Sequence, residues 1–515
     1  MKSDSASSKP PLVGSRLVLL TLSLSLGIFM NVLDVSIANV AIPNISGDLA
    51  VSSDNGTWVI TSFAVSQAIM LPLTGWLTRR FGEVRLYVLS TLLFTLTSVL
   101  CGLSTNLTML IFFRVLQGAV SGPMIPLSQS ILLENYPDDK KGFATGLWAM
   151  TAVVGPIFGP ILGGFITDNY TWSWIFYINI PVGLFSAIFT WITLTGRESK
   201  ITKTPVDVVG LILLVLGIGC LQILLDKGND LDWFHSTTIV TLGVVSFISL
   251  VFLIAWELTE KHPIIDLTLF AGRNYAIGTL VLTMGFMVYF SNVVIFPLWL
   301  QTQMGYTPTW AGLAAAPVGV LPFFLTPFVG QYMHRFDLRL IISVGFIIFA
   351  LTSFWQSWFY TAVGYLELVE PRFLQGIGIT FFFTPLISIV ISGLPAERLA
   401  SALGLANFCR ILGGSFGTSL SVTLWERREA FHHTRLVENI NPFNPISNET
   451  LAQLQALHVT GDKSFQLLSN IITNQAFMLS TDDIFWGSGC IFMCLLVLVW
   501  LAKPPFIAKG PSLVE

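Results

Sequence analysis

Gly146-Leu-Trp-Ala-Met-Thr-Ala-Val-Val-Gly-Pro-Ile-Phe-Gly-Pro-Ile-Leu-Gly-Gly164 is the stretch that decides how this chain is read. No charged residue occurs from Gly142 to Thr167, a run long enough to cross a bilayer as a helix. Yet the quoted stretch holds five glycines and two prolines. Gly155, Gly159 and Gly163 recur every four residues and so stack on one helical face. A face without side chains lets a second helix approach closely, as helices do in lipid. Pro156 and Pro160 each remove a backbone donor and are expected to bend the axis, a fault tolerated beside protein or a water-filled cavity. The same spacing would also serve a plain packing face, so both readings stay open on this stretch alone.

Composition agrees with a membrane chain. Of 515 residues 53% are hydrophobic and 11% charged, against about 25% charged in soluble domains. A net charge of −3 with no basic tract or phosphate-cradling loop gives no sign of nucleic-acid binding. Cys101, Cys220, Cys409, Cys490 and Cys494 lie in apolar segments without metal-ligand spacing and read as reduced core residues. The histidines (His235, His262, His334, His432, His433, His458) lie in or next to expected loops. Without a membrane-embedded Ser/His/Asp or metal cluster, a membrane enzyme or receptor is disfavoured, and no cofactor is expected. Lys2, Lys9 and Arg16 precede an apolar run that many others follow, so the N-terminus reads as an uncleaved first span.

Apolar runs predict fourteen spans, near 16–43, 57–78, 86–104, 107–133, 142–166, 172–195, 206–226, 237–257, 274–302, 308–333, 338–360, 363–394, 399–425 and 484–502. No charge occurs in Asn274–Met333, so its division at Gln301–Pro308 rests on turn chemistry. An even count puts both termini on one side. Lys and Arg crowd that side, and the short opposite loops hold only Lys227, so both termini are expected in the cytoplasm. The chain also repeats itself. Arg114-Val-Leu-Gln-Gly118 returns as Arg372-Phe-Leu-Gln-Gly376, 258 positions on, and Gly146, Gly155 and Gly159 meet Gly404, Gly413 and Gly417 at that offset. The expected architecture is all-α, two pseudo-symmetric six-helix lobes in a 6+2+6 arrangement: residues 1–196, two inserted helices within 197–270, and residues 271–515. Such lobes can rock about a site at their interface. The segment 426–483 is expected on the outer side, with Asn441–Pro445 breaking it and Glu449–Val459 at helical spacing, which reads as a helical hairpin projecting from the membrane or, alternatively, a solvated excursion.

Charges inside spans are costly, about 2.5–3.5 kcal/mol on insertion scales, and must face a partner or a cavity. Asp34 lies well within span 1, with Asn31 one turn before it on the same face and Asn39 further on. Burial favours a protonated carboxyl, so Asp34 is a candidate to hold and release a proton; a structural buried pair is the alternative. Arg114 in span 4 heads a polar stripe of Gln117, Ser121 and Ser128, and could pair with Asp34 when that residue is ionised. The alternative is an Arg satisfying carbonyls of broken helices. Arg410, with Asn407 one turn before it in span 13, and Arg372, after Glu367 and Glu370, are further embedded cations, functional or structural; Asn31, Asn39, Gln117, Asn407 and Arg410 are the candidates to line a cavity and meet its cargo.

Leu33–Pro43, Gly75–Arg85, Leu110–Gly118, Gly146–Gly164 and Trp172–Gly183 together resemble the signature set of the fourteen-span drug:proton antiporters of the major facilitator superfamily, and within it the EmrB-like efflux subfamily. Gly146, Gly155, Pro156, Gly159, Pro160, Gly163 and Gly164 match its antiporter motif. The resemblance implies proton-coupled efflux of hydrophobic or amphipathic drugs, with Asp34 and Arg114 coupling protons and the motif glycines and prolines serving the exchange cycle. It further implies the bacterial inner membrane, a proton gradient as the energy source, and a tripartite system with an EmrA-type periplasmic adaptor and a TolC-type outer-membrane channel. A proton-coupled importer or facilitator on the same fold is the alternative. One departure concerns the loop after span 2, where the superfamily carries Gly-x-Leu-x-Asp-Arg-x-Gly-Arg-Arg. Gly75, Leu77, Arg80 and Gly82 are present, but Arg79 replaces the Asp and Glu83 the next Arg. The charge latch assigned to that Asp is then in doubt unless Glu83 takes its part.

Overall fold

The computed structural model describes residues 11–51, 53–137, 140–199, 207–260, 263–395, 398–438 and 462–506, with single positions 201, 205, 440, 444 and 449. Among these residues every regular element is helical. Twelve helical stretches are long and apolar enough to cross a membrane, and Trp58–Met70 with Thr74–Phe81, bent by 63°, makes one more. The helix Lys141–Asn169, 29 residues long, occupies the remaining expected span and runs unbroken through Pro156 and Pro160. Span 4 is divided at Gly122-Pro123 into Leu107–Ser121 and Met124–Asn135. Large apolar side chains such as Phe247, Phe252, Phe324 and Phe328 point outward, as a lipid-facing surface requires.

In segment 426–483 the helical arms expected there are continuous with spans 13 and 14, beyond the expected span bounds. Helix Leu399–Glu438 has 40 residues, about 60 Å at 1.5 Å per residue, twice the roughly 30 Å hydrocarbon core. Helix Asp462–Val499 likewise begins well before the expected 484. Nothing in Glu426–Glu438 breaks a helix, so the element continues past its apolar stretch and takes His432 and His433 with it. The two arms are tied together. Arg428 Nε lies 2.7 Å from Asp483 Oδ2, His432 Nε2 2.7 Å from the same oxygen, and Trp425 Nε1 donates to Thr481 Oγ1 at 2.9 Å. Asn441–Pro445 and Glu449–Val459, apart from Asn444 and Glu449, lie outside the described residues.

The repeat returns in the packing. Span 1 packs on spans 5 and 6 as span 9 packs on spans 13 and 14, and span 3 meets spans 4 and 6 as span 11 meets spans 12 and 14. The lobes touch along spans 5 and 10 on one flank and along spans 2, 4 and 13 on the other. Of the two inserted helices, Val208–Lys227 lies over spans 2 and 13, where Gln222 Nε2 reaches Ser415 Oγ at 3.0 Å and Ser419 Oγ reaches Leu225 O at 2.5 Å.

Glycine sets the closeness of these seams. A Cβ on Gly330 would stand 2.2 Å from Gly142 O, and one on Gly146 2.6 Å from Thr326 O. On the opposite flank a Cβ on Gly404 would stand 3.1 Å from Leu71 O, and one on Gly75 would strike Ser401. All four sit at the end that carries the Gly75–Arg85 loop. At that end Arg398 also bonds Asp266 through Nε at 3.0 Å. Burial raises the Asp266 carboxyl, but hydrogen bonds from Thr268 and Arg398 outweigh it and hold the group below its ordinary range.

The Gly330→Val substitution therefore drives side-chain carbon into a backbone carbonyl of the other lobe. Overpacking of this kind costs about 1–3 kcal/mol, so the closed arrangement should be disfavoured by roughly 5- to 150-fold relative to the open one. Spin-label distances across that end should lengthen; an unchanged distribution refutes the assignment of this seam.

Candidate functional site

Asp34 is 1% exposed and Arg114 0%. Arg114 Nη1 lies 2.5 Å from Asp34 Oδ2. The other carboxylate oxygen accepts from Gln117 Nε2 at 3.2 Å and from Asn179 Nδ2 at 3.0 Å. Arg114 also donates through Nη1 to Gln117 Oε1 (2.9 Å) and through Nε to Val59 O (3.0 Å), and its guanidinium carbon stands 4.2 Å from the centre of the Phe63 ring. Its Nη2 has no hydrogen-bond partner among the described residues. Spans 1, 2, 4 and 6 thus converge on one ion pair, sealed by Phe63 and Phe176. Arg114 and Gln117 lie three apart on one helix and reach the carboxylate together. Sheltered from water, the pair is stronger than on a surface and more costly to break.

A second polar group adjoins it one turn away. Gln67 Nε2 bridges Asn31 Oδ1 (3.3 Å) and Ser121 Oγ (3.0 Å), and Asn31 Nδ2 reaches Ser121 O at 3.4 Å. Further along the stripe Ser128 Oγ accepts from Trp148 Nε1 at 3.1 Å. Asn39 lies beyond both groups and is exposed. Asn407 and Arg410 stand apart in the other lobe. Asn407 Oδ1 accepts from Arg410 Nε at 3.1 Å, and the half-buried guanidinium lies 4.8 Å over Phe286 and 5.7 Å over Phe383. Phe383 in turn stacks on Trp148 at 5.9 Å, so one ring links Arg410 to the antiporter-motif helix across the interface.

The motif glycines bear on the site through span 1. A Cβ on Gly155 would stand 2.8 Å from Val32, and one on Gly159 2.2 Å from Ser36. These contacts lie two residues either side of Asp34 and fix how closely its helix can approach. Gly164, nearer the opposite end, leaves 3.6 Å to Thr309 Oγ1, and Thr167 Oγ1 bonds Gly163 O at 2.8 Å. In the loop after span 2, Arg80 stacks on Trp76 at 5.7 Å, and Gly82 adopts φ +88°, a conformation suited to glycine. Glu83 is 3% exposed, and its Oε1 has no partner among the described residues. The carboxylate acting in this loop is Glu198, which accepts from Val84 N (2.9 Å) and Arg85 N (3.0 Å) and so caps span 3.

Sequence reasoning missed Asn179, Gln67, Ser98, whose hydroxyl oxygen accepts from Asn179 Nδ2 at 3.0 Å, and Glu198. The first three are neutral polar residues in apolar runs, and Glu198 acts from a distant connector. It also missed Asn292, which carried a signal. At the 258-residue offset that relates Arg114 to Arg372, Asp34 falls on Asn292.

Removing one member of a buried pair costs about 3–5 kcal/mol, because the other is left uncompensated. Asp34→Asn should lower the unfolding free energy by that order, and Asp34→Asn with Arg114→Gln should recover part of it. Thermal unfolding in detergent checks this; strictly additive effects would contradict the pairing.

The chain matches the Major Facilitator Superfamily over residues 24–418. It is 50% identical over 504 residues to the multidrug export protein EmrB of Haemophilus influenzae, covering 98% of this chain and 99% of that one. It is 48% identical over 501 residues to the fatty acid resistance protein FarB of Neisseria gonorrhoeae, covering 97% and 99%. Among solved structures it is similar to the proton:xylose symporter XylE, with TM-score 0.58 at 16% identity over 94% of this chain and 95% of that one, a likeness of fold. Fourteen membrane helices in two repeated lobes, a buried charge pair and these matches agree: the chain is a multi-pass membrane transporter that belongs to the Major Facilitator Superfamily.

Proposed function

We propose that this chain exports hydrophobic and amphipathic toxic compounds across the bacterial inner membrane in exchange for protons. Full-length similarity to proteins named for multidrug export and fatty acid resistance supports the cargo class. The observation that carries the coupling is the Asp34–Arg114 pair, one carboxylate and one cation with their remaining bonds made inside a single lobe. With Asp34 ionised, Arg114 is held and the lobe is closed around the pair. Protonation of Asp34 removes the attraction and frees Arg114, which gives the lobe two discrete arrangements. Gly155 and Gly159 transmit the change, because they bind the Asp34 segment of span 1 to the helix that also lines the lobe interface. Cargo and proton then compete. Cargo displaces the proton when the site faces inward, and reprotonation from outside weakens cargo binding. Each charge moved supplies about 2.3 kcal/mol per 100 mV, and the pH difference adds to it.

The excess of Lys and Arg at the Gly75–Arg85 end supports a cytoplasmic position for it and for both termini. The paired arms of spans 13 and 14 then project into the periplasm, where they dock an EmrA-type adaptor that leads to a TolC-type channel. No cofactor is required; the chain's own residues hold and move the proton.

In vesicles with an imposed pH gradient, the wild type should move a fluorescent cationic dye outward relative to the cell. Asp34→Asn, neutral like the protonated carboxyl, should bind dye more weakly and lose gradient-driven transport. A variant transporting like the wild type removes Asp34 from the cycle, and opposite flux favours the importer. Deleting 436–475 should abolish co-purification of the adaptor; unchanged recovery excludes docking on the arms.

A further inference from the structure

The C-terminal lobe contains a second edition of the ion-pair site that differs in one respect. Arg372, 2% exposed, takes the place of Arg114, Gln375 that of Gln117, and Asn292 that of Asp34. Ser488 stands where Asn179 does, donating to Asn292 Oδ1 at 3.0 Å. Arg372 Nη1 donates to Gln375 Oε1 at 3.1 Å and Nη2 to Asn292 O at 3.0 Å. No carboxylate pairs with it among the described residues; Glu367 and Glu370, earlier on its helix, are exposed. Three buried donors of this cluster have no hydrogen-bond partner among the described residues: Arg372 Nε, Asn292 Nδ2 and Gln375 Nε2. In the N-terminal lobe the corresponding Nε of Arg114 and Nε2 of Gln117 are both satisfied, the first by Val59 O and the second by the carboxylate.

We propose that Arg372, Gln375 and Asn292 form a binding site for a compact monovalent anion, which supplies the negative charge that Asp34 supplies in the other lobe. A buried guanidinium with one unsatisfied donor, two unsatisfied amide donors beside it and no acid demands an acceptor that carries charge. The Phe296 ring, 3.9 Å from the guanidinium carbon, and Phe485 at 6.0 Å attract the cation through their faces. Such faces do not satisfy the in-plane Nε or the two amide donors. These two rings wall the guanidinium, which favours a small ion or a small charged head over a bulky one. A halide from solution and the carboxylate head of an amphipathic cargo share this chemistry. The proposal does not depend on the exchange cycle above, and its test involves no transport.

Purified full-length protein in isethionate, an anion too bulky for the cluster, is titrated at constant ionic strength with chloride, bromide, acetate or decanoate. Unfolding is followed by tryptophan fluorescence. A saturable rise in Tm of about 2–4 °C is expected with a fitting anion. A rise with chloride and bromide assigns the site to a halide, and a rise only with the carboxylates assigns it to the cargo head. Asn292→Asp places a fixed carboxylate beside Arg372 and should raise Tm in isethionate while flattening the titration. Arg372→Gln should flatten it as well. Equal Tm in every anion overturns the proposal, and so does a full anion response retained by Asn292→Asp.

Discussion

A charge inside a bilayer has no water to answer it, and the interior of this protein is arranged around that fact. In the N-terminal lobe Asp34 and Arg114 answer each other, and four helices are drawn to one point by the hydrogen bonds that complete the pair. Such a contact contributes less to net stability than its closeness suggests, because both partners gave up hydration to form it. Its value in the proposed cycle lies in being all-or-none: the pair is either made, as it stands here, or broken.

In the proposed cycle, backbone proximity is what carries that local change to the seams between the lobes. Where Gly146 and Gly330 face carbonyls of the opposite lobe, the seam has no side-chain layer to cushion displacement. Gly155 and Gly159 apply the same device to span 1, and Gly413 and Gly417 apply it to span 9, where a Cβ would stand 2.5 Å from Thr283 O and 2.0 Å from Met287 O. A shift of span 1 therefore moves span 5, and span 5 is half of one seam.

Much of the fold was legible because apolar runs near twenty residues have few other uses, and because the 258-residue offset exposes the repeat. The ends of spans 13 and 14 were not. Polar residues continue a helix into water as readily as they start a loop, and Leu399–Glu438 does the former. At the site, Asp34 and Arg114 stood out because charge in an apolar run is rare. Asn179 and Gln67 did not, since a neutral amide in a span looks the same whether it serves a site or a neighbouring carbonyl. Glu198 was illegible for a different reason: its role depends on a connector folding back more than a hundred residues onto the start of span 3.

The inserted pair of helices breaks the twofold likeness of the lobes on one flank only. Val208–Lys227 roofs the join between spans 2 and 13, while on the opposite flank Phe158 and Phe165 of span 5 and Phe324 and Phe328 of span 10 look outward. The surrounding acyl chains therefore meet a covering helix on one flank and the bare seam of spans 5 and 10 on the other.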